Sequence, residues 1–202
     1  LPTSLEQAYQ ARLSLAVLHP RVDVNRLTAR HFHCELEPVI EAGRTAFYHR
    51  KIGPLRLEPS VAALLTFLRS RYRLFLVTVG SLETQSAKVR ALGLEPWFEA
   101  IEYVDHQGEE RKEDRFRALL DRYRLEAGRC MVIGDRPDAE IAAGNRLGMY
   151  TVRLLRGEHR HSWSEVTEEQ ANAELLQLEL LIPLLERLEA SPTDSEGVPS
   201  SS

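Results

Sequence analysis

The sequence predicts an α/β protein, a doubly wound parallel sheet preceded by a helical cap, and three observations carry that expectation. Four short apolar runs, Leu74–Thr78, Phe98–Val104, Met131–Ile133 and Tyr150–Leu155, alternate with amphipathic stretches of helical period. Strands spaced by helices of that length pair in parallel through right-handed crossovers. Two of the helical stretches close on a glycine, Gly93 and Gly148, the residue that tolerates the left-handed turn after a helix. Before Tyr48 the apolar residues recur only at helical spacing, with breaks at His19-Pro20, Glu37-Pro38 and Gly43.

In chain order, residues 1–57 are expected to form the cap and residues 58–190 the core. Pro59 opens a helix whose Val61, Leu64, Leu65 and Leu68 share one face. The strand ending at Thr78 follows, then the Gly80-Ser81 turn, a helix over Leu82–Leu92 and the strand ending at Val104. A polar loop leads to Arg111-Lys112 and to a helix marked by Phe116, Leu119, Leu120 and Tyr123. The run Met131–Ile133, with Cys130 placed in the same strand, reads as a strand covered on both faces and stops at Gly134-Asp135. A helix bearing Ile141, Ala142 and Leu147 comes next, then the strand from Tyr150. Ala173–Leu176 reads as a short last strand, Leu180–Leu188 as a closing helix, and 191–202 as a disordered tail.

Bulk properties narrow the class. With 202 residues, 43% apolar and 28% charged, the chain has the composition of a globular protein with one ordinary core. A net charge of −4 without a basic stripe argues against nucleic acid as a partner, while a single local cation suffices for a small phosphate. Cys34 and Cys130 are too few for a disulfide framework, and no apolar run is long enough for a membrane helix, so the expected setting is cytoplasmic. The chain opens on Leu1 rather than Met, and reads there like the middle of something longer.

The expected strand ends bring complementary groups to one sheet edge: a hydroxyl at Thr78, a cation at Lys112, and carboxylates at Asp135 and Glu140. In open α/β sheets that edge is where ligands bind. Carboxylates and water suit Mg²⁺, and the ion, a lysine and a hydroxyl together neutralise phosphoryl oxygens.

These residues resemble the haloacid dehalogenase-like hydrolase superfamily over roughly Pro59 to Leu155. The likeness rests on Leu76-Val77-Thr78-Val79-Gly80, on Gln85 and the run Lys88–Leu94, on Lys112, and on Gly134, Asp135 and Glu140-Ile141, which match a Gly-Asp-x-x-x-x-Asp-Ile motif with Glu for the last Asp. The resemblance implies a Rossmann-like core and a phosphatase of a small phosphorylated metabolite. In it Thr78, Val79 and Lys112 hold the phosphate, Asp135 and Glu140 hold Mg²⁺, and the helical segment is the inserted cap. The family's Asp-x-Asp-x-Thr motif, whose first Asp is the nucleophile and whose second is the acid and base, has no counterpart here. Val22-Asp23-Val24-Asn25 lacks the apolar strand and the second carboxylate. The resemblance therefore implies that a central strand is missing, that Leu1 follows directly on it, and that the chain as given is inactive. Two alternatives stand beside this reading: a non-catalytic binding or regulatory descendant, and a dehalogenase or phosphotransferase of the same fold.

Plainer readings exist for each residue. Asp135 suits a turn or an N-cap, Glu140 and Asp138 suit a first helical turn, and Thr78 suits a strand by shape alone. Lys112 lies in the mixed-charge run Glu109–Arg115, where Arg111 is a plausible substitute. The run His159-Arg160-His161-Ser162-Trp163 lacks a carboxylate at ligand spacing and reads as a surface loop. His31 and His33 fall on different faces of a helix, a poor metal site with Cys34. Phe47, Tyr48, His49 and Arg50 suit packing of the hinge.

Overall fold

The computed structural model describes residues 24–34, 36–48, 55–105, 108–162 and 164–190, with six positions between 7 and 15 and without the side chains of 43–48 and 158. The tail 191–202 and the hinge group around His49 and Arg50 lie outside the described residues.

Two helices come first, α1 (Val24–His31) and α2 (Glu37–Tyr48). Arg26 joins them through both oxygens of Glu37, at 2.9 and 3.0 Å. The helix stops at His31, and His33 beyond it takes a left-handed φ of 52°, so the two histidines do not share a helix as their spacing suggested.

The remaining elements alternate: α3 (Pro59–Arg69), β1 (Phe75–Val79), α4 (Leu82–Leu92), β2 (Ala100–Val104), α5 (Lys112–Tyr123), β3 (Met131–Gly134), α6 (Ala142–Arg146), β4 (Tyr150–Leu154), β5 (Ala173–Leu175) and α7 (Leu181–Ala190). All strand pairs are parallel. β1 pairs with β2, Phe75 opposite Ala100 and Val79 opposite Val104. β3 pairs with β4, Met131 opposite Tyr150, and β4 pairs with β5, Val152 opposite Ala173. The ladders form two groups, β1-β2 and β3-β4-β5, and among the described residues no ladder joins β1 to β3.

Helices cover both faces of the three-stranded group, because successive side chains of β4 point to opposite sides. Val152 packs with Leu64 and Leu68 of α3 and Leu181 and Leu184 of α7. On the other side Phe116 of α5 clusters with Val132 of β3 and Ala143 of α6, and Val77 of β1 packs against the same cluster. Phe116 is thus the apolar bridge between the two strand groups; burying such a side chain contributes about 2 kcal/mol.

Three expectations need correction. β3 begins at Met131, and Cys130 is half-buried ahead of it, its thiol donating to the Glu126 carbonyl at 3.2 Å. β3 is covered on both faces only in part: Val132 is buried on one face and Met131 packs against the α3–α7 cluster on the other, but Ile133 is 38% exposed, its side chain lining an open pocket. The segment after Asp135 does not enter an α-helix directly. Its first turn, Pro137–Ile141, is a π-type turn in which the Ile141 amide donates to the Arg136 carbonyl, 3.3 Å and five residues back.

The contact between α6 and β4 leaves no room for a methyl group. A Cβ at Gly144 would lie 2.7 Å from Thr151 Cγ2 and 3.1 Å from Val132 Cγ2. Gly144→Ala gains about 1 kcal/mol of helix propensity but overpacks the core by about 1–3 kcal/mol. We expect a lower urea midpoint for this variant; a midpoint equal to or above that of the parent would contradict this packing.

Candidate active site

Thr78, Lys112, Asp135 and Glu140 come from three segments, each of which follows or ends a parallel strand. That these ends face one way follows from a single contact. Seven residues separate the end of β2 from α5, whose first residue, Lys112, forms an ion pair with Glu140, six residues past the end of β3. The carboxyl ends of the β1-β2 pair and of β3 therefore share an edge.

On β1, the Thr78 hydroxyl donates to Gln85 Oε1 at 3.1 Å. Gly80 makes this possible. Its φ is 149°, and a Cβ there would fall 2.4 Å from Gln85 Nε2, so only glycine lets the Gln85 side chain fold back over the strand end. Ser81 caps α4, accepting the Thr84 amide at 3.3 Å. The Gly80 amide donates to Val104 of β2 at 2.9 Å. Alternate amides of a strand face opposite neighbours, so the Val79 N–H faces away from β2, toward the edge that carries no ladder among the described residues.

Lys112 and Arg111 are distinguished by position. Arg111 is the exposed N-cap of α5, its amide donating to Asp114 at 2.8 Å, whereas Lys112 turns inward with a side chain only 14% exposed. Its partner Glu140 is delivered by the π-type turn, which folds the side chain back beneath Gly134. A Cβ at Gly134 would lie 2.6 Å from Glu140 Cβ and 2.7 Å from its Cγ, so the glycine of the Gly-Asp pair clears the space for the glutamate. Lys112 satisfies Oε1 of Glu140, while Oε2 is buried without a hydrogen-bond partner among the described residues.

Asp135 is half-buried beside this pair. Burial, with the charge of Glu140 second, pushes its carboxyl above the ordinary range, against the opposing pull of His159 and Lys112. Burial works in the same sense on Asp138, but the Arg136 guanidinium, 3.0 Å away, outweighs it and holds Asp138 below the usual range. Asp138 is therefore an ion-pair partner rather than a bare first-turn acid.

The loop after β4 is not the free surface loop its composition suggested. Arg153 points inward from β4, 6% exposed, and donates to the carbonyls of His159 (3.0 Å) and Ser162 while pairing with Glu174 at 3.1 Å. The clamp folds the loop over the strand ends, so that His159 acts electrostatically on both Asp135 and Asp138, and a Cβ at Gly157 would stand 3.7 Å from Asp135 Oδ2. The signal for this was an arginine inside an apolar strand, Tyr150-Thr151-Val152-Arg153-Leu154. Beneath the loop lies a pocket of about 450 Å³ lined by Ile133, Gly134, Asp135, Leu154, Arg156, Gly157 and Leu178.

The donor set fits a hard divalent cation. Mg²⁺ keeps most of its waters and takes one or two protein carboxylates, and here Asp135 and the unpartnered oxygen of Glu140 are such a pair. Among the described residues no three His, Cys, Asp or Glu side chains converge as a ready-made cage. No helix among them is long and apolar enough to cross a membrane.

Comparison with known proteins agrees with this architecture. The N-acylneuraminate-9-phosphatase of Rattus norvegicus is 33% identical over 100 residues, 49% of this chain and 40% of that protein. The glyceraldehyde 3-phosphate phosphatase of Methanopyrus kandleri is 30% identical over 137 residues, 66% of this chain and 59% of that protein. The chain thus spans about half the length of these curated relatives. Among solved structures, a predicted phosphoglycolate phosphatase from Haemophilus somnus superposes with a TM-score of 0.64 at 17% identity, over 86% of this chain and 81% of that one. A haloacid dehalogenase-type hydrolase of Bacillus subtilis bound to magnesium gives 0.61 at 20% identity, over 92% and 85%. These likenesses establish the fold. The profile of the haloacid dehalogenase-like hydrolases matches residues 4–148, and the chain belongs to that family.

Proposed function

We propose that the chain carries the core of a magnesium-dependent phosphatase for small phosphorylated metabolites, with 58–190 as that core, 1–57 as a helical cap over the site, and a cytoplasmic setting. The observation that best supports this is the state of the two carboxylates. Lys112 neutralises one oxygen of Glu140 and leaves the other buried and unpartnered, while Asp135 is pushed toward its neutral form. Asp135 and Glu140 would hold Mg²⁺, which would supply positive charge to offset both carboxylates and to polarise a phosphoryl group. The curated relatives named above are phosphatases named for small phosphorylated compounds.

In this reading the chain's own groups orient the phosphate. The Thr78 hydroxyl, released from Gln85, and the Val79 amide donate to phosphoryl oxygens, and Lys112 adds charge. The attacking carboxylate is not among these residues, and the sequence contains no Asp-x-Asp. The edges of β1 and β3 that carry no ladder among the described residues offer a place for a parallel strand that carries it. From there a carboxylate oxygen bonds to phosphorus as the ester bond to the leaving alcohol breaks, and water then hydrolyses the acyl phosphate. Without that strand the 202-residue chain is inactive.

The direct test is phosphatase activity of the protein extended by its upstream reading frame, assayed against small phosphomonoesters with and without a chelator. Activity should require Mg²⁺, and Lys112→Ala should lower kcat/KM about 100- to 1,000-fold. An extended protein that is inactive, or whose activity ignores both chelation and Lys112, overturns the reading.

A second outcome needs no turnover. Because the folded-state pKa of Asp135 is raised, the native protein binds the extra proton between the ordinary and the raised value, so stability falls as pH rises through that window. At neutral pH Asp135→Asn should therefore raise Tm, and the gain should close below the ordinary carboxylate range. Millimolar Mg²⁺ should raise Tm of the parent and not of Asp135→Asn. A Tm unmoved by Mg²⁺ in both proteins would remove Asp135 from the metal site.

A further inference from the structure

The pocket beneath the β4 loop shares Gly134 and Asp135 with the site but extends away from it, over Ile133, Leu154 and Leu178, to Arg156. Its walls are apolar, and Arg156 is the cation in its lining. Three other cations of this edge are committed: Lys112 to Glu140, Arg136 to Asp138, and Arg153 to Glu174 and two carbonyls. The Arg156 guanidinium is exposed and makes no hydrogen bond or ion pair among the described residues; it acts on Glu179 only at a distance. Half-buried Asp135 sits at the inner end and exposed Arg156 at the rim. The loop that presents Arg156 is held by the buried clamp of Arg153, so the backbone that carries this guanidinium is tethered beside the strand ends.

Resting on the phosphatase reading, we propose that this pocket receives the organic part of the substrate and that Arg156 recognises a second anionic group on it, a carboxylate, at the end remote from the phosphate. The chemistry is complementary on each count. Apolar walls accept a carbon skeleton, a planar guanidinium matches a carboxylate in two-pronged fashion, and the inner carboxylate favours placing the second anion at the rim. Substrates lacking that anion would leave Arg156 hydrated and gain nothing from it.

The test compares two ligands that differ only there: 3-phosphoglycerate, with a carboxylate, and glycerol 3-phosphate, with a hydroxymethyl group in its place. Affinities are measured by titration calorimetry on the full-length protein the gene encodes, in a chelator, which stops the proposed Mg²⁺-dependent turnover of either ligand. The parent should bind 3-phosphoglycerate about tenfold more tightly, the worth of one charge-assisted contact. Arg156→Gln should bring the ratio to about one, and Arg156→Lys should keep part of it. Equal affinities in the parent, or a preference that survives Arg156→Gln, overturn the proposal while glycerol 3-phosphate binding that depends on Lys112 leaves the phosphatase reading standing. Binding of neither ligand, or binding indifferent to Lys112→Ala, overturns the phosphatase reading and this proposal with it.

Discussion

The ion pair between Lys112 and Glu140 ties together two strand groups that share no ladder among the described residues. One partner begins the helix that follows β2, and the other lies in the turn that follows β3. With Phe116 packed one turn further along α5 against Val132, the pair fixes how the ends of β1 and β3 face each other. Both side chains are largely desolvated, and a buried pair is strongly favourable only if its remaining oxygens are satisfied. Glu140 keeps one oxygen that is not, which makes the interaction that organises the fold also the one that asks for a further positive charge.

Much of this was legible from the order of the residues. Strand and helix positions followed from apolar runs and from Pro59, Gly93 and Gly148, because those signals act within a few residues of themselves. Thr78, Lys112, Asp135 and Glu140 stood out as polar groups at the ends of such runs, although spacing alone could not separate Lys112 from Arg111. The helix start decided that, turning one side chain inward and leaving the other as a cap.

What could not be read depended on contacts between distant segments. The π-type turn at Pro137–Ile141 has no local sequence signature beyond Pro137, yet it sets where Glu140 points, and Gly134 is required by a side chain six residues later. The exposure of Ile133 reflects which strands and helices meet it, not its own apolarity. The placement of His159 near Asp135 follows from Arg153, whose clamp spans nine residues to Ser162 and reaches Glu174 on the neighbouring strand.

The Arg153 clamp has a consequence for motion. Loops beside ligand sites commonly open on their own, with little free energy and apart from the core. Here the wall of the pocket hangs from a guanidinium rooted in β4, whose Thr151, Val152 and Arg153 are all buried. Opening that wall strips hydrogen bonds from a buried charge, so its fluctuations are coupled to those of the sheet itself. A ligand entering there meets a surface already ordered and surrenders little conformational entropy in arranging it.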